Sequence, residues 1–294
     1  MKIGVTGASG LIGTPLLAAL RAAGHDVVRF VRGPADAVDE RRWDPAGRRL
    51  EPQAVEDLEA VVHLAGAGVA DHRWTAAYKA QVLNSRVDGT TAVAQAVAQA
   101  GTPVLLSGSA IGWYGDTADR VTDESGPPGQ GFLADVCAHW EAATAAAESA
   151  GARVAHLRTG IVLSSRGGAL KKQLPIFRAG LGAPLGSGRQ WQSWISLQDE
   201  VSAIVHLLTA DVRGPVNLVG PDPVTNRDMT KAIGHAVHRP TLPVPVPGFV
   251  LKAALGDFAQ EGVLIGQRLL PRVLESSGFA FAHPDLASAL QASL

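Results

Sequence analysis

The sequence predicts an α/β fold, namely a Rossmann doubly wound parallel sheet with a smaller C-terminal cap domain. Three observations predict it. The chain opens with a strand, a glycine-rich turn, a helix and a second strand; strand-like and helical segments then alternate; and prolines cluster after Pro221. Such alternation is typical of a parallel sheet with helices on both faces.

The opening βαβ unit has the clearest pattern. Residues 2–6 are a short apolar run next to glycine, typical of a buried parallel strand. The turn that follows contains Gly7, Gly10 and Gly13, and the apolar stripe of a helix begins within it. Residues 26–31 then predict a second strand, so the segment has the order of a βαβ motif.

The later elements follow the same alternation. We predict further strands over 60–65, 103–107, 153–163 and 215–220, and helices over 86–100, 134–150 and 199–210. Residues 164–191 are rich in glycine and cations and interrupt the pattern. We therefore expect an NADP-binding Rossmann domain over 1–165 plus 192–222, and a substrate-side cap over 166–191 plus 223–294.

Composition narrows the function classes. The formal net charge of -1 gives no overall attraction to nucleic acid or to a membrane surface. The single cysteine, Cys137, excludes an internal disulfide and fits a reducing compartment. No leader-like or spanning apolar segment is visible, so we expect a cytoplasmic protein. His235 and His238 lack a third metal ligand nearby, and no serine-hydrolase elbow occurs, so we expect neither a metal site nor that hydrolase class.

The glycine turn predicts a dinucleotide site. The first glycine permits the tight turn, the second lets the backbone approach pyrophosphate, and the third allows close packing of helix on strand. The helix N-terminus then meets the phosphate charge. We assign the residues of this turn to the cofactor: Gly7, Gly10, Leu11, Ile12 and Gly13.

Several segments together resemble a known superfamily. They are the turn itself with spacing G-x-x-G-x-x-G, HLAG at 63–66, SGS at 107–109, WYGD at 113–116, RTGIVL at 158–163 and WISLQD at 194–199. The chain resembles the extended short-chain dehydrogenase/reductase superfamily, and within it an atypical sugar-epimerase-like family of unassigned substrate. The resemblance implies further cofactor contacts at Leu64, Ala65, Gly66, Gln81, Arg86 and Val162.

The end of the second strand predicts which dinucleotide binds. Proteins that prefer NAD usually place an acid there to accept the ribose hydroxyl. Here the strand ends in Arg29-Phe30-Val31-Arg32, without an acid. The guanidinium of Arg32 could bind a 2′-phosphate through two parallel hydrogen bonds. We therefore expect NADP(H), with a solvated strand-end arginine as the alternative.

The catalytic residues are harder to predict. The superfamily usually carries a tyrosine followed four residues later by a lysine, and neither Tyr78 nor Tyr114 has that lysine. If Glu141 matches the helix glutamate common in extended enzymes, the tyrosine and lysine positions hold Leu133 and Cys137. Ser109 and Tyr114 are then the candidates for polarising a substrate oxygen and for donating a proton. The alternatives are a strand-end hydroxyl for Ser109 and a packed loop aromatic for Tyr114.

These observations predict an NADP(H)-dependent oxidoreductase or epimerase acting on a small polar substrate of the sugar-like or anionic class. A non-catalytic NADP(H)-binding protein that senses redox state and signals by cap closure is the alternative. The cations and tryptophans between 171 and 194 form either an anion or sugar-nucleotide site or a solvated face. The expected partners are a small-molecule substrate and a second copy of the chain in a homodimer, with no nucleic acid and no membrane.

Overall fold

The computed structural model describes residues Met1–Leu294. Its strands are β1 Lys2–Thr6, β2 Asp26–Val31, β3 Glu40–Arg42, β4 Ala60–His63, β5 Val104–Ala110, β6 Val121–Thr122, β7 Arg153–Thr159, β8 Ile161–Leu163, β9 Trp191–Gln192, β10 Trp194–Ser196, β11 Gly214–Leu218, β12 Val224–Thr225 and β13 Arg268–Leu269. Its α-helices are α1 Gly13–Ala22, α2 Ala76–Ala100, α3 Phe132–Ala142, α4 Ala145–Ser149, α5 Gly168–Arg178, α6 Leu197–Thr209, α7 Asn226–Ala236, α8 Gly248–Leu255, α9 Arg272–Ser276 and α10 Leu286–Ser293.

Seven strands form the main sheet, in the order β11-β7-β5-β4-β1-β2-β3. The pairings of β1 with β2 and with β4, of β2 with β3, and of β4 with β5 are all parallel. The order reverses direction at β1, so β1 and β4 are neighbours and their carboxyl ends flank a topological switch point. The predicted Rossmann class is confirmed.

Three element boundaries differ from the prediction. Helix α2 begins at Ala76 rather than near residue 86, because the Thr75 hydroxyl accepts a hydrogen bond from the Tyr78 N–H and caps the helix there. The helix predicted over 134–150 is divided into α3 and α4, and Thr144 lies at the break with its hydroxyl donating to the Glu141 carbonyl. The strand predicted over 153–163 is interrupted at Gly160.

The chain divides into two compact units. The first unit comprises Met1–Ser109, Val136–Leu157 and Val201–Val216. An apolar cluster in this unit packs α2 residues such as Val93 and Val97 on the sheet residues Val28, Val61 and Leu105. This packing holds the carboxyl ends of β1, β2 and β4 in fixed register, and those ends carry the candidate site.

The second unit comprises Ala110–Asp135, Arg158–Glu200 and Asn217–Leu294. Its main apolar cluster includes Leu174 and Phe177 of α5, Trp194 of β10 and Leu290 of α10. The segments 166–191 and 223–294 both fall in this unit, together with shorter segments that the predicted cap left out. The proposed division into a Rossmann domain and a cap stays a prediction. None of the helices combines the length and apolar character needed to cross a membrane.

Candidate dinucleotide and catalytic site

The glycine turn after β1 is built for close backbone approach. Gly7 has a φ of 67°, a conformation that glycine adopts without strain, and its carbonyl accepts the Gly10 N–H at 2.9 Å. A Cβ atom on Gly7 would lie 2.8 Å from the carbonyl carbon of Leu64, and one on Gly13 would clash with the Gly7 carbonyl oxygen. The backbone therefore needs glycine at these two positions.

The N-terminus of α1 follows this turn without a side-chain cap. Ile12 occupies the capping position with no side-chain hydrogen bond, and the first turn has no acidic residue. The first N–H groups of a helix have no partners inside it, and their positive end favours an anion. The turn and helix thus fit a pyrophosphate.

A cavity of about 1190 Å³ lies within the first unit beside this turn. Several predicted cofactor residues line it: Gly7, Gly10, Arg32, Leu64, Ala65, Gly66 and Gln81. Four others are not among its lining residues, namely Leu11, Ile12, Gly13 and Arg86. The remaining predicted residue, Val162, lies in β8 of the second unit, where it pairs with Ile195 of β10. Contacts of these five residues with the cofactor stay predictions.

Two arginines line the cavity at the ends of adjacent strands. Strand register pairs Val31 of β2 with Arg42 of β3, and Arg42 lines the same cavity as Arg32, the residue after Val31. Arg41 belongs to the opposite face, because side chains alternate along a strand; its guanidinium donates to the Asp57 carboxylate at 2.6 Å. The sequence analysis missed Arg42. The sequence shows two consecutive arginines, Arg41 and Arg42, but only the parallel pairing of β3 with β2 places Arg42 at the end of β2.

Three acids close to these arginines along the chain have cationic partners: Asp39 and Glu40 pair with Arg29, and Asp44, which also lines the cavity, pairs with Arg49. Asp39 accepts two hydrogen bonds from Arg29, at 2.8 and 2.9 Å, and one from Arg21 at 2.7 Å. The hydrogen bonds from Arg29 hold the pKa of Asp39 below its ordinary value. Glu40 lies 3.2 Å from the Arg29 guanidinium. Arg29 therefore pairs with the carboxylates of Asp39 and Glu40, which leaves Arg32 and Arg42 as the cations suited to an anionic ligand.

A buried threonine–histidine pair supports the loop opposite the glycine turn. The Thr6 hydroxyl oxygen accepts the N–H groups of Leu64 and Ala65 at 3.1 and 3.3 Å, so its own hydrogen is donated to His63 Nδ1 at 2.7 Å. This fixes the hydrogen of the neutral ring on Nε2, which is buried without a partner. Burial lowers the pKa of His63 to about 4, so the ring stays neutral at neutral pH.

Arg86 stabilises the same loop through hydrogen bonds to backbone carbonyls. Its guanidinium donates to the carbonyls of Ala67 and Val82 at 2.9 and 3.0 Å and lies over the Trp140 ring at 4.8 Å. Burial lowers its pKa, although the group stays charged. These contacts hold the backbone of the 64–68 loop, which lines the cavity.

Tyr114, the predicted proton donor, is buried in the second unit with both sides of its hydroxyl engaged. The hydroxyl donates to Asn217 Oδ1 at 2.7 Å and accepts from Arg158 Nη1 at 2.9 Å. Burial raises the pKa of Tyr114 to about 12. The phenol is therefore protonated at neutral pH, but its proton is committed to Asn217. This geometry favours a structural role, and the proton-donor role stays a prediction.

Ser109, the other catalytic candidate, lies near the carboxyl end of β5 in the first unit. Its side chain is buried, and its hydroxyl donates to Glu141 Oε1 at 2.7 Å. The oxygen of Ser109 can still accept a hydrogen bond, because a hydroxyl has two lone pairs and one hydrogen. Sequence reasoning singled out Glu141 only as an alignment marker and missed it as the partner of Ser109.

The two tryptophans considered for a substrate site have partners within the second unit. The indole N–H of Trp191 donates to Asp119, and its ring stacks under the Arg268 guanidinium at 4.0 Å. Trp194 is buried and donates to the Asp222 carbonyl. Both therefore have structural contacts of their own, and a sugar-nucleotide site beside them stays a prediction.

The glycine turn, the uncapped helix and the two-arginine cavity at the switch point define a Rossmann protein with a dinucleotide site. The profile of the NAD dependent epimerase/dehydratase family matches residues 3–237, and that of a domain of unknown function, DUF1731, matches residues 246–293. The chain belongs to the NAD dependent epimerase/dehydratase family. The resemblance to extended, epimerase-like short-chain dehydrogenase/reductases is confirmed.

Relatives match along the whole chain. An epimerase family protein of Mycobacterium tuberculosis is 49% identical over 289 residues, which are 98% of this chain and 96% of the relative. The crystal structure of the human epimerase family protein SDR39U1 with NADPH has a TM-score of 0.89 and 31% identity, covering 100% of this chain and 99% of that one. A nucleoside-diphosphate sugar epimerase from Corynebacterium glutamicum has a TM-score of 0.83 and 34% identity, covering 100% of this chain and 58% of that one.

Proposed function

We propose that this chain is an NADP(H)-dependent oxidoreductase or epimerase acting on a small polar substrate of the sugar-like or anionic class. One observation carries the proposal. Arg32 and Arg42 line the same cavity as the glycine turn, while Asp39 and Glu40 are paired with Arg29 and Asp44 with Arg49. A 2′-phosphate is the part of the dinucleotide that such a pair of guanidinium groups would recognise.

The cofactor is NADP(H), and residues of the first unit fit its parts. Gly7, Gly10 and the N-terminus of α1 suit the pyrophosphate, while Arg32 and Arg42 suit the 2′-phosphate. The Leu64–Gly66 backbone, held by Thr6, suits the adenosine side of the cavity. When bound, the nicotinamide supplies hydride transfer to or from a substrate carbon. The human relative solved with NADPH supports this assignment.

The names of relatives support a sugar-like substrate. The Corynebacterium glutamicum protein is described as a nucleoside-diphosphate sugar epimerase, and the matching family profile covers epimerases and dehydratases. A small-molecule substrate and a second copy of the chain in a homodimer are the partners that we propose.

A second candidate is a non-catalytic NADP(H)-binding protein that senses redox state. Two observations favour it: neither Tyr78 nor Tyr114 is followed four residues later by a lysine, and the Tyr114 hydroxyl is bonded on both sides. Without another route for a proton, such a chain would bind the cofactor without turning over.

One experiment separates the two candidates. NADPH and NADH are titrated by intrinsic fluorescence. The absorbance of the reduced nicotinamide is then followed with NADPH and UDP-4-keto-6-deoxyglucose as carbonyl probe, and with NADP⁺ and UDP-glucose as alcohol probe. The sugar nucleotides are also separated by chromatography, because an epimerase regenerates its cofactor. Tight NADPH binding with turnover of either probe supports the enzyme. Tight binding without turnover of these and related sugar nucleotides supports the sensor. Weak binding of both cofactors contradicts both candidates.

A further inference from the structure

A buried polar chain starts at Ser109 in the first unit. The Ser109 hydroxyl donates to Glu141 Oε1 at 2.7 Å, and the second carboxylate oxygen of Glu141, Oε2, lies 3.7 Å from His156 Nδ1. The three residues come from β5, α3 and β7, and they are 4%, 8% and 8% exposed. Three separate elements thus bring one hydroxyl, one carboxylate and one imidazole together in the interior.

The chain continues towards solvent. His156 Nε2 lies 2.9 Å from the Thr144 hydroxyl and 3.3 Å from Glu148 Oε1. The side chain of Glu148 is 48% exposed, so its carboxylate meets water. The groups that face His156 are therefore Glu141 from α3 and Glu148 from α4, with the Thr144 hydroxyl between the two helices.

Such a chain needs an explanation, because burying a carboxylate is costly unless it is paired. An apolar residue at position 141 would fill the same interior without that cost. The usual tyrosine–lysine pair of the superfamily is also absent from the sequence, and the Tyr114 proton is held by Asn217. Oxidation or reduction at a carbon–oxygen bond still requires a proton to leave or arrive.

We propose that Ser109 is the catalytic residue that exchanges a proton with the substrate oxygen, and that Glu141 and His156 are positioning residues that relay this proton to solvent at Glu148. The inference rests on the proposed function and deepens it. It predicts that the substrates are alcohols or the corresponding carbonyl compounds, because those groups exchange one hydride and one proton.

The relay balances for alcohol oxidation. The carbon–hydrogen bond gives its hydride to the oxidised nicotinamide, and the carbon–oxygen double bond forms. The hydroxyl proton passes to Ser109 Oγ while the hydrogen of Ser109 passes to Glu141 Oε1, which neutralises that carboxylate. Rotation of the carboxyl group then presents the proton to His156 Nδ1, and His156 releases one from Nε2 towards Glu148 and water. Ketone reduction runs through the same groups in reverse.

The test compares wild type with Glu141→Gln, which keeps the shape and can still accept the Ser109 hydrogen bond but cannot carry the proton. NADPH affinity, measured by fluorescence, should be unchanged. The kcat for reduction of UDP-4-keto-6-deoxyglucose should fall by roughly 10²-fold, the lower end of what a positioned acid–base group contributes, with KM little changed. We expect a solvent deuterium isotope effect on kcat in the wild type, and its size should differ in Glu141→Gln. Glu200→Gln, the same substitution at another buried carboxylate, is the matched control and should keep full activity.

A second readout needs no turnover. The ¹⁵N shifts of the His156 ring report which nitrogen carries hydrogen. The Thr144 hydroxyl donates to the Glu141 carbonyl and therefore accepts from His156, which places the ring hydrogen on Nε2 and leaves Nδ1 as an acceptor facing Glu141. In Glu141→Gln the amide N–H can donate to Nδ1, so the Nδ1 shift should change while the hydrogen stays on Nε2. In His156→Ala, added imidazole and its substituted analogues should restore the rate to an extent that depends on the basicity of the added base, which a merely structural filler would not do.

The outcomes distinguish the relay from the proposed function. Full kcat in Glu141→Gln, with unchanged ring shifts of His156, overturns the relay and leaves NADPH-dependent turnover standing. Rescue of His156→Ala that ignores basicity also overturns it. A wild-type protein that binds NADPH weakly, or binds it tightly and turns over no sugar-nucleotide carbonyl, overturns the proposed function and the relay with it.

Discussion

Replacing Arg32 and Arg42 by alanine should abolish the preference for NADPH over NADH. Both side chains line the dinucleotide cavity: Arg42 pairs with Val31 in the parallel register, and Arg32 follows Val31 along the chain. NADH lacks the 2′-phosphate, so only NADPH gains from these cations. The comparison of the two cofactors therefore isolates this contact from the rest of the site.

The magnitude follows from the number and exposure of the arginines. A hydrogen bond to a charged group contributes about 1.5–3 kcal/mol when shielded, but both arginines are exposed, and solvent screening reduces each contribution to about 0.5–1 kcal/mol. The two together give about 1–2 kcal/mol, a preference of roughly 5- to 30-fold at about 1.4 kcal/mol per factor of ten. Each single variant should lose roughly 2- to 5-fold of the preference, and the double variant nearly all of it.

The assay is fluorescence titration of both cofactors against wild type, the two single variants, the double variant and Arg120→Ala. Arg120 is an exposed arginine of the second unit outside the cavity, so its removal controls for the loss of one surface charge. The preference should also shrink in 1 M salt, where the screening length falls to about 3 Å. A double variant that keeps the wild-type preference, or that loses NADH affinity as much as NADPH affinity, would refute the assignment.

Other predictions concern Tyr114, His63, Glu200 and the predicted cap. Tyr114→Phe removes the hydrogen bond to Asn217 Oδ1 and one of the acceptors of Arg158 Nη1, and it should cost about 1–3 kcal/mol of stability, measured by urea unfolding, with NADPH affinity unchanged. A further loss of kcat by roughly 10²–10⁴-fold would restore the proton-donor role. Burial lowers the pKa of His63 to about 4, so this side chain stays neutral in the folded state. As the pH falls from 6.5 to 4, only the unfolded state takes up a proton, and the wild type should therefore lose about 3 kcal/mol of stability over that range. His63→Gln should lack this loss; an unchanged pH profile in the variant would contradict the cause. Burial raises the pKa of Glu200 to about 8. Stability should therefore fall as the pH rises from 4.5 to 8, because the carboxyl group ionises first in the unfolded state. In thermal unfolding, Glu200→Gln should reduce this dependence of stability on pH. If the predicted cap closes over bound cofactor, hydrogen exchange in 166–191 and 223–294 should slow on adding NADPH; equal exchange with and without NADPH would count against it.

Local sequence patterns were sufficient to predict the first βαβ unit of the fold. The strand–turn–helix–strand order and the positions of the glycines depend on backbone conformation and on the period of apolar residues, and both are readable along a chain. Gly7 and Gly13 accordingly have the backbone constraints that the motif implies, and Gly10 donates the hydrogen bond that closes the turn. The missing acid after β2 and the cation at Arg32 are equally local, and they indicated the phosphorylated cofactor.

Residues that act together but belong to different strands or helices could not be predicted from the sequence. Arg42 joins Arg32 only because β3 pairs in parallel with β2. Asp39, close to the strand end in sequence, turns out to be paired with Arg29. Neither pairing has a sequence period, because each is a consequence of strand register and side-chain reach.

The sequence by itself determined the Rossmann class, the glycine cradle, the cation after β2 and the absence of the tyrosine–lysine pair, since each depends on residue identity within one or two elements. The tertiary structure alone decided that Tyr114 donates its proton to Asn217 and that Ser109 donates to Glu141, 32 residues away along the chain. The physical reason is that a hydroxyl's role is set by which partner satisfies its single hydrogen. In a folded interior, packing between distant elements makes that choice.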